Sequence, residues 1–277
     1  MNRALFAAAT GMAAQQQNLD VVADNLANAD VAGFKSAQAT FATIGGNAQL
    51  GTASTGTREL FAQGKLEKSG GPFDVAIDGR GFFRVERGGE HAYTRAGAFS
   101  RGADGMLRNA DGWRLEGVRI PSNAHDVSVA ADGAVRAALG GNATLPLAQI
   151  VLAAFDEPEK LRPVGSALFA ATRDSGKAHA LAAGGDREPK LAFGMLEKSN
   201  VSVIESMMAI LAAQRAYEAN SKGVQAADEM LRIGLNVNTQ KFPRTFPIST
   251  RVYTLNRFGR KSNDCQAFST VGGVEHV

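Results

Sequence analysis

The chain reads as an α+β protein, with long N- and C-terminal helices forming a coiled-coil-like core and an antiparallel β domain inserted between them. Three observations predict this. Leu5, Met12, Leu19 and Leu26 recur every seven residues near the start. Val203, Ile210, Tyr217, Val224 and Leu231 recur at the same spacing near the end. Between them, short alternating runs are separated by Asp78-Gly79, Gly88-Gly89, Asp104-Gly105, Asp111-Gly112 and Asp132-Gly133. A seven-residue period keeps each rung on one stripe of a helix wound at about 3.5 residues per turn. Asp-Gly supplies cheaply the positive φ that tight hairpins need.

Residues 1–42 are expected to hold the first helix, from about residue 3 to about residue 29, and then a Gly-Phe-Lys turn at Gly33, Phe34 and Lys35. Three residues on from each rung lie Ala8, Gln15, Val22 and Ala29, a second row that is small or polar. The apolar start, residues 3–9, has the look of a signal peptide. It is read as mature helix, because the stripe continues in register through Gln15-Gln16-Gln17-Asn18 and a cleaved segment has no reason to keep that register.

Residues 43–72 are rich in Gly, Thr, Ser and Ala and read as an extended linker. Residues 73–195 read as the β domain, with alternation clearest in 74–78 and 82–87 and with Trp113 as a core anchor. Residues 196–238 carry the last helix, capped by Asn200 or Ser202, with Glu205 completing a capping box. Its second row, Ser206, Ala213, Asn220, Ala227 and Gly234, is again small or polar. One large stripe beside one small stripe suits many helices packed in a tube better than a two-stranded zipper. Residues 239–277 form an atypical basic tail that is expected to be disordered.

Bulk composition narrows the partners. The 277 residues carry a formal net charge of +3. The excess sits in the tail, where six Lys and Arg face only Asp264 and Glu275, about +4. The remaining 238 residues are therefore near neutral, at about −1. With one Trp and three Tyr there is little stacking surface, so nucleic acid is excluded as the main partner. No run approaches the ~18 apolar residues of a membrane span, and no membrane insertion is expected. The single cysteine, Cys265, has no internal partner for a disulfide.

No catalytic constellation emerges. His91, His125, His179 and His276 are scattered, and none has the spacing of a metal-ligand pair. Gly79-Arg80-Gly81 sits in a hairpin and not at the start of a helix, so it does not cradle phosphate. The carboxylates of the β region fall in turns without a convergent pair. The reading is a non-enzyme without cofactor or metal. On periodicity alone, a helical hairpin within one domain and packing between molecules remain equally compatible. A secreted binding module with an intramolecular helical stalk is the alternative from another functional class.

Specific motifs decide between them. Residues 11–28 end in Asn25-Leu26-Ala27-Asn28, and Gly33-Phe34-Lys35 follows. Asp74-Val75-Ala76-Ile77-Asp78-Gly79-Arg80-Gly81-Phe82-Phe83 and Tyr93-Thr94-Arg95-Ala96-Gly97-Ala98-Phe99 stand in the middle. Leu196-Glu197-Lys198-Ser199-Asn200-Val201 and Gln214-Arg215-Ala216-Tyr217-Glu218 stand near the end. In this order, across nearly all of residues 1–235, they resemble the bacterial flagellar rod and hook protein family. Gln214 to Glu218 and Ala227 to Leu231 are most similar to its distal rod members, with another rod paralogue as the alternative.

The resemblance implies a structural subunit of the basal-body rod. Its terminal helices would pack with other copies into a hollow helical shaft that transmits torque from motor to hook. It implies other rod proteins, the hook protein and the surrounding rings as partners. It also implies a periplasm-spanning location, reached through the flagellar type III export apparatus without a cleaved signal. The rungs Leu5, Met12, Leu19, Leu26, Val203, Ile210, Tyr217, Val224 and Leu231 are the expected assembly interface. Asn25 to Asn28, Gly33, Phe34, Lys35, Gln214 and Arg215 carry the family motif.

Overall fold

A computed structural model describes residues 3–45, 51–139, 144–165, 167–185 and 188–240. The chain divides into a unit that ends at Arg232 and a second that begins at Ile233. Of the second, the described part is the last turns of the C-terminal helix. The tail from residue 241 onward, expected to be disordered, lies outside the described residues.

The first helix, α1 (Arg3–Ala27), is Ala-rich and contains no proline. It spans about 37 Å at 1.5 Å per residue. It ends where Asn28 N–H divides itself between the carbonyls of Asp24 and Asn25, at 3.1 and 3.2 Å. This bifurcated bond tightens the last turn.

Strand β1 (Ala37–Ile44) then pairs antiparallel with β2 (Gly51–Glu59), with a register shift between Thr40 and Phe41. Residues 43–72, expected as an extended linker, are therefore paired over much of their length. The hairpin escaped the sequence reading because it has few large apolar side chains of its own. It leans instead on α1: Thr10 Oγ1 accepts from Thr52 N–H at 3.3 Å. A Cβ on Gly51 would lie 2.8 Å from the Phe6 ring.

The β region opens with β3 (Leu66–Lys68), β4 (Val75–Asp78), β5 (Phe82–Arg87) and β6 (Glu90–Thr94). It continues through β7 (Ser100–Arg101), β8 (Met106–Arg108), β9 (Arg114–Arg119), β10 (Ala124–Val129), β11 (Ala134–Leu139) and β12 (Thr144–Gln149). It closes with β13 (Leu152–Ala154), β14 (Arg162–Gly165), β15 (Leu168–Ala170), β16 (His179–Leu181), β17 (Lys190–Phe193) and β18 (Met195–Glu197). Four of the five turn dipeptides named above join consecutive strands that pair. Asp78-Gly79 instead leads from β4, which pairs with β17, to β5 in the main sheet, so the hairpin expected around Gly79-Arg80-Gly81 does not form.

The main sheet runs β14-β15-β6-β5-β9-β8-β7, and β13 bridges β5 to β16. A meander β10-β11-β12 lies beside it. Two further pairs, β17 with β4 and β18 with β3, tie the end of the domain back to its beginning. All these pairings are antiparallel.

Alternation along the strands delivers one face to a core built on Val75, Ile77, Phe83, Val85, Leu115, Val118, Ile120, Val135, Ile150 and Leu152. Trp113 is buried in that core, with the Arg87 guanidinium 4.5 Å above its ring. A smaller aromatic cluster of Phe82, Tyr93 and Phe169 is closed by Phe61 and Phe155.

The last helix, α2 (Val203–Gln240), begins where Ser202 Oγ accepts from Glu205 N–H at 3.3 Å, the expected cap. Phe83 is fully buried and meets Phe99 edge to face at 5.4 Å. Phe83→Ala is expected to cost about 3–5 kcal/mol. A denaturant titration followed by the fluorescence of Trp113 measures it.

Candidate functional site

Four stretches far apart in sequence meet around one carboxylate, that of Glu197 at the end of β18. Lys35 Nζ donates to Glu197 Oε1 at 2.6 Å and to the Ala62 carbonyl at 2.8 Å. Gly64 N–H donates to the same Oε1 at 2.8 Å. Arg95 Nη1 reaches Glu197 Oε2 at 3.3 Å, while Arg95 Nη2 donates to the Gly79 carbonyl at 2.8 Å. The Lys35 and Glu197 side chains are 0% exposed and that of Arg95 is 5% exposed. Gly33 N–H adds a bond to the Glu197 carbonyl at 2.7 Å. Glu197 is thus held through backbone and side chain at once.

Local sequence makes the convergence possible. Gly33 sits at φ 70°, and a Cβ there would lie 2.3 Å from the Ala96 nitrogen. A Cβ on Gly64 would lie 1.9 Å from the Lys198 carbonyl oxygen. Neither position tolerates a side chain. Two asparagines then act as clamps. Asn25 donates to the Ala37 carbonyl at 2.7 Å and accepts from Ala37 N–H at 2.8 Å. Asn200 accepts from Ser36 N–H at 2.7 Å and donates to the Leu60 and Ala62 carbonyls at 2.7 and 3.2 Å. The segment leaving α1 and the segment entering α2 are thereby fastened to the same stretch of chain, residues 60–64.

The electrostatics are lopsided, with two cations sharing one anion. Burial pushes Lys35 below its ordinary pKa; the charge of Glu197 opposes that, and the charge of Arg95 adds to it. Arg95 is likewise held below its usual value by burial, against the pull of Glu197. The Arg95 guanidinium also lies 5.4 Å from the Phe82 ring centroid. Such a cluster adds little net stability over apolar replacements, but losing one partner leaves a buried charge without compensation.

The helix faces form the second feature. On α2 the small row points inward: Ser206, Ala213 and Ala227 are buried at 8%, 2% and 1% exposure. A Cβ on Gly11 of α1 would lie 2.9 Å from Nδ2 of Asn220, the remaining member of that row before Arg232. The large rungs lie elsewhere. Val203, Tyr217 and Leu231 are exposed, as are Ile204, Met207, Met208, Leu211 and Met230. Ile210 and Val224 are half-buried, as are Leu5, Met12, Leu19 and Leu26 on α1.

The structure thus gathers Asn25, Gly33 and Lys35 into one junction. It leaves Gln214 and Arg215 exposed on α2, away from it. Leu26 and Asn28 are half-buried and Ala27 is exposed at the end of α1. Phe34 stands half-buried beside Lys35. Glu197 and Arg95 were not singled out by sequence reasoning, although each lies inside a quoted motif, and Asn200 was read only as a helix-cap candidate, a role that falls to Ser202. Their shared signal was a charged or amide residue in an otherwise small or apolar stretch. Among the described residues, no group of three or more His, Cys, Asp or Glu is placed to hold a metal.

Comparison with known proteins follows the same geography. Residues 5–35 match the family described as flagella basal body rod protein. Residues 76–137 match the flagellar hook protein FlgE/F/G D1 domain, and residues 193–237 match the flagellar basal body rod FlgEFG protein C-terminal family. Lys35, Arg95 and Glu197 fall one in each matched segment. The flagellar basal-body rod protein FlgG of Agrobacterium fabrum is 37% identical over 258 residues, covering 83% of this chain and 97% of that protein. FlgG of Borreliella burgdorferi is 35% identical over 265 residues, covering 87% and 100%. The flagellar basal-body rod protein FlgF of Caulobacter vibrioides is 30% identical over 246 residues, covering 84% and 96%.

Two outcomes test the electrostatics. Glu197→Gln strands Lys35 and is expected to cost about 3–5 kcal/mol in a denaturant titration. Glu59 is 9% exposed, and burial together with the charge of Asp24 pushes its pKa up from 4.5 to about 7. A raised carboxyl pKa favours the folded state at low pH, and that contribution is lost as pH rises from 4.5 through about 7. Glu59→Gln should therefore leave stability unchanged near pH 4 and raise it by about 1–3 kcal/mol near pH 8. Thermal unfolding at the two pH values measures it.

Proposed function

Because the chain belongs to the bacterial flagellar basal-body rod protein family, we propose that it is the distal rod subunit, joining copies of itself through its terminal helices into a hollow shaft. The exposed face of α2 carries this reading. Val203, Tyr217 and Leu231 lie open together with Ile204, Met207, Met208, Leu211 and Met230, while Ser206, Ala213 and Ala227 are spent on the chain's own interior. Covering a side chain of that size is worth about 1.5–3 kcal/mol. A helix that leaves so many uncovered is built to meet other helices. A head-to-tail contact that does not close extends into a filament.

Torque in such a shaft enters through the helices and must reach the β domain. The junction around Glu197 supplies the path. It fixes the exit of α1 and the entry of α2 to the same short stretch, residues 60–64, and through Arg95 to the turn after β4. A load on either helix is then shared by several hydrogen bonds between side chains and backbone and not carried by one flexible connection. Other rod proteins and the hook are the partners at the two ends of the shaft, with the surrounding rings outside it. The location is the periplasm-spanning part of the basal body, reached through the flagellar export apparatus without cleavage of a signal.

Tyr217→Asp combined with Leu231→Asp tests the helix face. Both side chains are exposed, so the purified chain should unfold within about 1 kcal/mol of the unchanged protein. Swimming and the recovery of complete hook–basal bodies should be lost. Motile cells with intact basal bodies would refute assembly through this face.

A further inference from the structure

A cleft opens between α1 and β2, lined by Asp20 and Asp24 from α1 and Glu59 from β2, with Val21, Phe34 and Phe169 among its apolar lining. Among the described residues, the three acids there face no free cation. Lys35 also borders the cleft, but it is fully buried and already committed to Glu197 and the Ala62 carbonyl. Asp20 and Asp24 each accept one amide hydrogen bond, from Gln16 at 3.1 Å and Asn28 at 3.3 Å. Glu59 is the unusual member. Its residue is 91% buried, and among the described residues no hydrogen bond or ion pair reaches its carboxylate.

We propose that this cleft is a socket for a cation from a second copy of the chain, and that the cation is the guanidinium of Arg215 on the neighbour's α2. The inference rests on the rod reading above and names one contact within it. A planar guanidinium matches paired carboxylates with two parallel hydrogen bonds, and its aliphatic stem suits walls such as Val21, Phe34 and Phe169. Burial and the charge of Asp24 raise the pKa of Glu59 in the separate chain, and an arriving positive charge relieves both effects.

Among the exposed cations of α2, Arg215 is the one that no acid precedes by four residues; Glu218 lies three residues after it but also stands four before Lys222. Lys222 and Arg232 each follow an acid by four residues, Glu218 and Asp228, the preferred order for pairing along a helix. Four residues before Arg215 stands Leu211, and four after it Ala219. Ile204, Met208 and Leu211, all exposed, lie eleven, seven and four residues before it on one stripe. Arg215 therefore ends an uncovered apolar ridge, where a ridge laid on a neighbour carries the cation with it.

Charge inversion tests the contact. Asp24 and Arg215 are both exposed, so replacing them leaves the fold intact, which thermal unfolding of the purified full chain verifies. In the bacterium that encodes the protein, with the chromosomal copy replaced, Arg215→Glu should abolish swimming. Adding Asp24→Arg to the same chain should restore it. Undiminished swimming by the Arg215→Glu strain overturns the inference. Loss that Asp24→Arg does not restore overturns it too, while hook–basal bodies containing the unchanged chain keep the rod reading intact. Absence of the unchanged chain from purified basal bodies overturns the rod reading and the socket together.

Discussion

The buried carboxylate of Glu197 is the constraint on which the rest of the structure depends. It accepts from Lys35, Arg95 and the amide of Gly64, and its carbonyl accepts from Gly33. Those four donors come from three stretches: Gly33 and Lys35 from the Gly-Phe-Lys turn after α1, Arg95 from the end of β6, and Gly64 from the segment after β2. An apolar residue at 197 would keep only the backbone bond from Gly33 and would bring Lys35, Arg95 and the Gly64 amide to no defined place. The physics of buried ion pairs explains why such a group is costly to half-remove while adding little net stability as a complete set. Its value lies in specificity: one arrangement brings both cations onto the single carboxylate, and slipped alternatives leave a lysine or a guanidinium buried alone.

That specificity matters because the two helices are poorly secured by other means. The α1 helix leans on a hairpin of small residues, through Thr10 and Phe6. The α2 helix buries only its small row. Helices of this kind gain their order from what they pack against. Fixing the exit of one and the entry of the other to a common stretch sets where they start, and the open stripe of α2 is left for neighbours. The division of labour is physical. Polar bonds within the chain define position, and apolar surface between chains supplies association energy.

Much of this was legible in the sequence, and the limits are instructive. The helices followed from heptads and three of the β hairpins from Asp-Gly turns, because both signals are local. The two rows on α2 were legible as well, but not which one the chain uses for itself; that depends on how closely Gly11 approaches Asn220. The β1–β2 hairpin was hidden, since its Thr, Ala and Gly carry no clear alternation and its support comes from α1. The junction was hidden most deeply. Lys35 and Glu197 are 162 positions apart, and no periodicity links them. Only the fold makes a lone lysine after a glycine turn and a lone glutamate at a strand end into partners.

Native-state hydrogen exchange on the full-length chain tests the central claim most directly. The amides of Gly33, Ser36 and Gly64 are bonded to the Glu197 carbonyl, the Asn200 side chain and the Glu197 carboxylate. If the junction welds the helical ends to the β domain, these amides exchange only through global unfolding, with the same free energy as Ile77 and Val85 in the core strands. Exchange of the three through a low-energy local opening, while Ile77 and Val85 stay protected, would contradict it.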